Sequence, residues 1–234
     1  MKKIAIVMPV ANEEDTIKKT IDTIVSMSYE NLCLYIIMDS YSKDKTFEIA
    51  KSLESERVRV VFYKESCGVA SCYLKGFKEA LNDQADYIVE MDAGGSHDPK
   101  LLPQFIQKLE EGYDCVWGSR LVKGGKFVNV PLYRQLISRG GTILSNFILN
   151  TKLKDMTSGY EAFNANVLKK LDLDCFLSKG HMYQTEMRYY CHKYRSVEIP
   201  ISYIGGKSSF RFKSILQALK TLFMLRRNMK NIMK

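Results

Sequence analysis

The chain has 234 residues, 46% of them hydrophobic, which is enough for one globular domain with a sizeable core. Its formal net charge is +9, but eight of these charges lie after Glu198, where no acidic residue occurs. Charge confined to one end argues against a general nucleic-acid-binding surface and predicts one local basic element.

Three features bear on location. The chain contains no apolar run of 18 residues, so no segment is predicted to span a bilayer by itself. The first apolar run ends by Asn12, which favours a strand over a signal peptide. The cysteines form no C-x-x-C pair and are expected to be reduced thiols. They are Cys33, Cys67, Cys72, Cys115, Cys175 and Cys191.

Apolar runs alternate with amphipathic segments along the first half of the chain. Strands are predicted at Ile4–Val10, Leu32–Asp39, Val58–Tyr63, Tyr87–Asp92 and Asp114–Gly118. Helices are predicted between them, near Asp15–Met27, Thr46–Leu53, Ser71–Leu81 and Pro99–Glu111. This alternation is typical of an α/β fold with a mostly parallel, doubly wound sheet.

The alternation weakens after residue 120. Helices are predicted near Leu132–Leu149 and Ala165–Leu171, and a strand at Ser196–Ile201. From Phe212 the chain reads as a basic amphipathic helix, with apolar residues at i, i+3 and i+4 spacing. Such a helix can lie on an anionic membrane surface, or it can pack on the domain with a solvated basic face.

Polar loops follow all five strands of the first half. Ligands bind beyond the carboxyl ends of parallel strands, so these loops predict a site at one edge of the sheet. The loops contain Asn12-Glu13, Asp39-Ser40, Glu65–Gly68, Asp92–His97 and Ser119-Arg120.

The loop after the fourth strand is the most distinctive of the five. It begins with Asp92 and continues through Gly94 and Gly95 to Asp98-Pro99. A carboxylate at the tip of a buried strand, beside glycines that let a ligand approach the backbone, suits a metal-bound or phosphorylated ligand.

The loops taken in order resemble the motifs of family 2 glycosyltransferases, and most closely those of the polyprenyl-phosphate branch, which is dolichyl-phosphate mannose or glucose synthase-like. The resemblance covers residues 4 to about 215. The matching segments are Pro9–Glu13, Asp39–Thr46, Gly68–Ala70 with Tyr73 and Gly76, Gly118–Arg120, Lys123–Gly125, Arg134, Ser138-Arg139, Asp155–Tyr160, Lys179-Gly180 and Gln184–Glu186.

The resemblance implies a GT-A type nucleotide-diphospho-sugar transferase fold, with a catalytic domain at residues 1–211 and the basic helix at 212–234. It implies an inverting transferase that moves a hexose from a GDP- or UDP-sugar to a polyprenyl phosphate, peripheral at the cytoplasmic, inner face of the membrane. Two alternatives remain: transfer to a sugar hydroxyl in polysaccharide assembly, and a non-catalytic relative that binds nucleotide-sugar.

The same resemblance assigns the nucleotide-sugar site. Its expected residues are Pro9, Asn12, Glu13, Asp39, Gly68, Ala70, Asp92, Arg120 and Gln184. Asp39 and Asp44 also suit helix capping and turn chemistry, which is the more ordinary role for Asp44. Gln184 and Glu186 either contact the sugar or hydrogen-bond within the core.

Asp92 is the expected ligand of Mg²⁺ or Mn²⁺, which would bridge it to the diphosphate. Relatives commonly have a second acid where Gly94 stands and a polar ligand where Ser96 stands. His97 and Asp98 lie close by, but His97 more often has a structural role, and Asp98 suits a helix cap.

The expected catalytic residues are Asp92, Asp155, Arg120 and Arg139. The two arginines would pair with the diphosphate, unless they are solvated surface charges. Asp155 would orient the sugar, or act as base for a hydroxyl acceptor. Three further basic residues could serve the acceptor or the diphosphate, namely Arg134, Lys207 and Arg211.

Overall fold

The computed structural model describes residues 1–180, 182–205 and 213–228, and it describes the side chains of the last of these ranges for residues 218–227. The strands are β1 (Ile4–Val10), β2 (Leu32–Asp39), β3 (Val58–Tyr63), β4 (Tyr87–Glu90), β5 (Cys115–Ser119), β6 (Lys126–Val128), β7 (Glu161–Asn164), β8 (Ser196–Pro200) and β9 (Ser202–Ile204). The helices are α1 (Ile17–Val25), α2 (Thr46–Ser52), α3 (Val69–Asn82), α4 (Leu102–Glu110), α5 (Leu132–Leu149), α6 (Ala165–Leu168), α7 (Met182–Tyr190) and α8 (Lys213–Asn228), with a 3-10 turn at Pro99–Leu101.

Seven strands form the main sheet, in the order β3-β2-β1-β4-β7-β5-β8, and β6 and β9 form a small parallel pair. All neighbours in the main sheet are parallel except β7, which runs antiparallel to both β4 and β5. The predicted mostly parallel α/β sheet is therefore confirmed. The sequence did not predict that β7 would be inserted in the opposite direction.

Two apolar layers cover the sheet, one on each face. One is built around α3, α7 and the inner side of α8, and includes Phe77, Trp117 and Leu225. The other is built around α1 and α4, and includes Ile17 and Phe105. Strands buried on both faces read as continuous apolar runs, which is why β1 and β2 have the bounds that the sequence predicts. The edge strand β3 also has its predicted bounds, although Arg59 and Phe62 are exposed.

Strand β4 ends two residues earlier than predicted, at Glu90. The backbone N–H of Asp92 donates to Nδ1 of His97 at 3.0 Å, so a side chain takes the donor that a strand neighbour would otherwise use. This places Asp92 in the loop beyond the sheet.

Two carboxylates lie opposite each other inside the sheet, where charge is expensive to bury. Glu90 of β4 is paired in register with Glu161 of β7, and both are fully buried. Arg188 of α7, also buried, donates to Glu161 at 2.7 Å, and Tyr183 donates to Glu90 at 3.1 Å. Burial raises the pKa of Glu90 well above its usual range, and the Glu161 charge raises it further. One arginine thus faces two carboxylates, and the raised pKa of Glu90 favours its protonated form.

A stability measurement checks this state of Glu90. Glu90 binds its proton more tightly in the folded chain than in the unfolded chain. Its contribution to the free energy of unfolding is therefore fully present below the unfolded pKa of 4.5 and is lost as pH rises through the folded pKa. The slope can reach about 1.4 kcal/mol per pH unit for one group. In urea titrations from pH 5 to pH 8, Glu90→Gln should lose stability less steeply than the wild type, while exposed Glu30→Gln keeps the wild-type slope. An equally steep fall in Glu90→Gln would contradict the assignment.

Candidate active site

The carboxyl ends of β2, β1 and β4 lie side by side, and the loops that follow them meet at one edge of the sheet. Because β7 runs antiparallel to β4 and β5, it begins at this same edge, and the segment that precedes it in the chain therefore lies there. That segment carries Asp155, which therefore lies beside Arg120 at the end of β5. The edge predicted from the polar loops is thus assembled as expected, with one additional segment.

Hydrogen bonds tie the loops after β1 and β2 together. Asn12, at a φ of 55°, donates its N–H to Ser42 at 3.1 Å and accepts from the N–H of Lys43 at 2.9 Å. The N–H of Glu13 donates to the hydroxyl of Thr46 at 2.8 Å. Pro9 lies half-buried in β1, opposite Ile37. Of the residues expected at the nucleotide-sugar site, Pro9 therefore lies in β1, and Asn12 and Glu13 lie in a loop that is hydrogen-bonded to the loop after β2.

The two aspartates of the second loop have different surroundings. Asp39 ends β2, and one of its oxygens accepts from the N–H of Tyr41 at 3.0 Å, as in an Asx turn. Asp44 accepts from the N–H of Thr46 at 3.1 Å and from the N–H of Glu14 at 3.1 Å. These contacts give Asp44 the turn chemistry that the sequence favoured, and they join the second loop to the first.

Helix α3 begins at the third loop. Gly68 has a φ of 114°, which favours glycine, and a Cβ there would lie 3.1 Å from the carbonyl oxygen of Lys179. Ala70 is buried under the loop. Tyr73, one turn further, donates its hydroxyl to Oδ1 of Asp92 at 2.9 Å. Nothing in the sequence indicated that Tyr73 would reach Asp92.

Asp92 keeps one carboxylate oxygen toward the site while the rest of the residue is fixed. Its side chain is 40% exposed. Tyr73 holds Oδ1, His97 holds the backbone N–H, and Oδ2 lies 3.8 Å from Nε2 of His97. Such a carboxylate is oriented before any ligand arrives.

His97 and Asp98 support the loop. His97 is 2% exposed and stacks on Tyr160 with 4.8 Å between ring centroids. Burial lowers its pKa, so the imidazole is neutral near pH 7, and its Nδ1 accepts from Asp92. Asp98 caps the 3-10 turn by accepting from the N–H of Lys100 at 3.0 Å. Both residues thus make the structural contacts that the sequence allowed for.

Arg120 and Asp155 bind each other. The guanidinium donates to both carboxylate oxygens at 2.8 Å and to the hydroxyl of Thr157 at 2.6 Å, and it lies over the ring of Phe127. Arg120 is 7% exposed and Asp155 is fully buried. Burial alone would raise the pKa of Asp155, but the hydrogen bonds and charge of Arg120 outweigh it and hold the pKa well below its usual range.

The arginines of α5 lie on different sides of the helix. Arg139 is exposed, and Arg134 is half-buried. Five residues correspond to about 140° of rotation on a helix, so the two side chains do not share a face. The structure therefore does not bring Arg139 and Arg134 to one point. Lys207 and Arg211 lie outside the described residues.

Helix α7 supplies buried polar groups behind the site. Gln184 is 8% exposed and packs against Gly159, where a Cβ would lie 3.1 Å from Nε2. Glu186 accepts from the N–H groups of Leu177 and Ser178, both at 2.8 Å. Glu186 therefore hydrogen-bonds within the core, which is one of the two alternatives for it.

The donor atoms at this edge suit a hard divalent cation. Asp92 offers a carboxylate oxygen, and a Cβ at Gly95 would meet nothing within 4 Å, so the loop leaves space above itself. Within the described ranges, no group of three acidic, histidine or cysteine side chains could enclose a metal by itself. Oxygens of a bound diphosphate and water would have to complete the coordination.

The family model described as glycosyl transferase family 2 matches residues 5–172. The chain belongs to glycosyl transferase family 2. The matched range contains every loop of the edge described above, from Asn12 to Asp155.

This family 2 glycosyltransferase is similar to three curated relatives. It is 34% identical to an undecaprenyl-phosphate mannosyltransferase of Micrococcus luteus, over 86% of this chain and 84% of that protein. It is 34% identical to a polyprenol monophosphomannose synthase of Mycolicibacterium smegmatis over 72% of this chain, and 30% identical to a dolichol-phosphate mannosyltransferase of Pyrococcus furiosus over 95%. It spans 65% and 63% of the lengths of these last two proteins.

Solved structures agree on the fold of this glycosyltransferase. The glucosyl-3-phosphoglycerate synthase of Mycobacterium tuberculosis, in complex with Mn²⁺, UDP and glucosyl-3-phosphoglycerate, superposes with a TM-score of 0.69 at 15% identity. The match covers 100% of this chain and 81% of that one. The complex of the same synthase with UDP gives a TM-score of 0.70 at 17% identity, over 97% of this chain and 80% of that one. The fold is therefore of the GT-A type.

Proposed function

We propose that this chain is an inverting glycosyltransferase that moves a hexose from a GDP- or UDP-sugar to a polyprenyl phosphate at the cytoplasmic face of the membrane. The observation that carries the proposal is the similarity to three relatives whose names all describe mannosyl transfer to a polyprenyl phosphate. Mannose is accordingly the first sugar to test.

The residues at the sheet edge would divide the work of binding the donor. The joined loops after β1 and β2 would frame the nucleoside with Pro9, Asn12 and Asp39. Gly68 lets the donor approach the start of α3, whose N-terminus favours an anion. Asp92 would hold Mg²⁺ or Mn²⁺, and this ion would neutralise charge on the leaving diphosphate.

The chemistry of the acceptor agrees with the state of Asp155. A phosphate acceptor is already an anion near pH 7 and attacks the anomeric carbon without a base. Asp155 is buried, ionised and bound to Arg120, so it is a poor proton acceptor at neutral pH. We therefore assign Asp155 to the positioning of Arg120, which would face the diphosphate or the acceptor. Transfer to a sugar hydroxyl, the alternative, would require another base.

A face of α5 supports contact with a membrane. Four of its exposed apolar residues recur at spacings that place them on one side of the helix, with exposed Arg139 among them. The opposite side packs on the site, because Thr142 accepts from the N–H of Met156 at 3.1 Å. We call the outward side the α5 apolar face, which consists of Leu132, Leu136, Ile143 and Phe147.

The C-terminal helix was expected either to lie on the membrane surface or to pack on the domain. In the described side chains of α8, Leu222 and Leu225 are buried against the domain, while Phe223 and Met224 are exposed. Arg226 donates to the carbonyl oxygen of Ile148 at 2.6 Å, which ties α8 to the end of α5. None of the helices in the described ranges has the length and apolarity needed to cross a membrane. We therefore propose that α5 and α8 together rest on the anionic lipid surface.

Vesicle binding checks this contact. Serine replacements at Leu136, Ile143 and Phe147 should abolish co-sedimentation with phosphatidylglycerol vesicles, because they remove the apolar area that enters the interface. Phe62→Ser, at an exposed position on the far edge strand, is the matched control and should sediment like the wild type. Unchanged vesicle binding by the triple variant would contradict the contact.

A donor panel tests the proposed function. Membranes are incubated with the protein and with each of several radiolabelled nucleotide sugars, and the products are extracted with organic solvent. Label in the organic phase, dependent on the protein, is the expected result. Label found only in water-soluble products would support the hydroxyl-acceptor alternative. Nucleotide binding without any transfer would support the non-catalytic alternative.

A further inference from the structure

Gly94 stands where relatives commonly have the second acid of the metal-binding loop, and its surroundings are already occupied. A Cβ built on Gly94 would lie 2.6 Å from Oε1 of Glu13. The carboxylate oxygens of an aspartate lie about 2.4 Å from their own Cβ, given standard bond lengths. The Glu13 oxygen therefore lies about as far from the Cβ position of residue 94 as the carboxylate oxygens of an aspartate at that position would.

Hydrogen bonds hold Glu13 at its backbone and at its carboxylate. Its N–H donates to the hydroxyl of Thr46 at 2.8 Å, and its Oε2 accepts from the hydroxyl of Thr16 at 2.7 Å. Thr20, one turn further along α1, donates to the carbonyl oxygen of Ala93 at 3.3 Å. Helix α1 is thus fastened to the loop that contains Asp92, and the other oxygen of Glu13 is turned toward Gly94.

We propose that Glu13 supplies the second carboxylate of the metal site, replacing the acid that is absent at Gly94. This inference rests on the proposed function, since it concerns the cation of the same donor site. Glu13 and Asp92 would together bring two negative charges to the ion, and the affinity of oxygen sites for divalent cations depends on the number of such charges. The glycine at 94 is then required, because a side chain there would displace the Glu13 carboxylate.

The test is a measurement of Mn²⁺ affinity by the electron paramagnetic resonance signal of free Mn²⁺, with MnCl₂ alone and with added GDP or UDP. Glu13→Gln keeps the shape of the side chain and should weaken Mn²⁺ binding by about tenfold or more, a loss like those seen when groups that support metal sites are removed. Exposed Asp15→Asn is the matched control two residues away and should bind Mn²⁺ like the wild type.

A reciprocal exchange sharpens the test. Glu13→Ala should lose Mn²⁺ affinity, and adding Gly94→Asp to it should recover most of the loss, since the two positions serve one site. Wild-type Mn²⁺ affinity in Glu13→Gln would overturn the proposal, as would failure of Gly94→Asp to recover any affinity. An equal loss of GDP affinity in EDTA would show that Glu13 contacts the nucleotide, and would also overturn it.

The Mn²⁺ measurement and the transfer assay can fail independently of each other. If no lipid product forms with any nucleotide sugar while Glu13→Gln still loses Mn²⁺, the proposed function fails and the second carboxylate stands. If lipid product forms while Glu13→Gln binds Mn²⁺ normally, the proposed function stands and this inference fails.

Discussion

Replacing Asp92 with Asn is expected to reduce kcat for sugar transfer by about a thousandfold, which corresponds to about 4 kcal/mol of transition-state stabilisation. Asp92 lies in the loop after β4 with a side chain that is 40% exposed, and we propose that it holds the cation that binds the donor diphosphate. An amide keeps the shape of the side chain but removes the charge that would hold the cation. The N–H of Asp92 would still donate to His97, so the loop should keep its conformation.

Two measurements make this prediction specific. Asp98→Asn changes the neighbouring acid, which only caps the 3-10 turn, and should retain activity near that of the wild type. Circular dichroism and urea unfolding should show that Asp92→Asn is folded. More than a tenth of wild-type kcat in Asp92→Asn would contradict a central role for this carboxylate.

Replacing Asp155 with Asn is expected to destabilise the protein by about 3–5 kcal/mol, because it leaves the Arg120 charge buried without its counter-charge. The carboxylate receives Nε, Nη2 and the backbone N–H of Arg120. Its depressed pKa means that this stabilisation is present above the unfolded pKa of 3.8 and is lost only as pH falls through the lower folded pKa.

The size of the effect separates a buried pair from a surface pair. Asp22→Asn removes the partner of Lys18 in an ion pair that is more than half exposed, and should cost less than about 1 kcal/mol. Adding Arg120→Gln to Asp155→Asn should recover part of the lost stability, because the unpaired charge is removed. A loss below about 1 kcal/mol in Asp155→Asn, measured by urea unfolding at pH 7, would contradict the account of this pair.

The sequence predicted the centre of the sheet because β1 and β2 are buried on both faces. Strands β1 and β2 have their predicted bounds, since long apolar runs leave no choice of exposed face. The antiparallel β7 has only four residues, and its direction depends on pairing with β4 and β5, which are distant in sequence. The short pair β6 and β9 escaped prediction for the same reason.

The sequence predicted individual residues of the site better than it predicted which of them contact each other. Asp92, Arg120 and Asp155 were selected as single residues, and the structure shows that Arg120 and Asp155 bind each other. Tyr73 and Arg188 were not selected, although Tyr73 orients Asp92 and Arg188 donates to the carbonyl oxygens of Gly118 and Ser158. An aromatic or basic residue inside a helix does not reveal its partner, because the partner lies on another element.

The acid that is absent at Gly94 likewise has a spatial neighbour that the sequence does not reveal. In the sequence it appears as a missing acid, and the only remedy visible there is diphosphate and water. In the folded chain the nearest side chain to that position is Glu13, which lies more than 80 residues earlier. Compensation of this kind depends on how α1 is fastened to the loop after β4, which a sequence motif does not record.

The most direct test of the central claim uses purified protein, Mg²⁺ or Mn²⁺ and radiolabelled GDP-mannose, with either undecaprenyl phosphate or the corresponding alcohol undecaprenol in detergent. The same two reactions are also run with UDP-glucose in place of GDP-mannose. We expect a labelled lipid product from the phosphate and none from the alcohol, because Asp155, the acid considered as a base for a hydroxyl acceptor, is ionised and bound to Arg120. Equal transfer to the alcohol, or transfer only to water-soluble glycans, would contradict the assignment of a polyprenyl phosphate as acceptor.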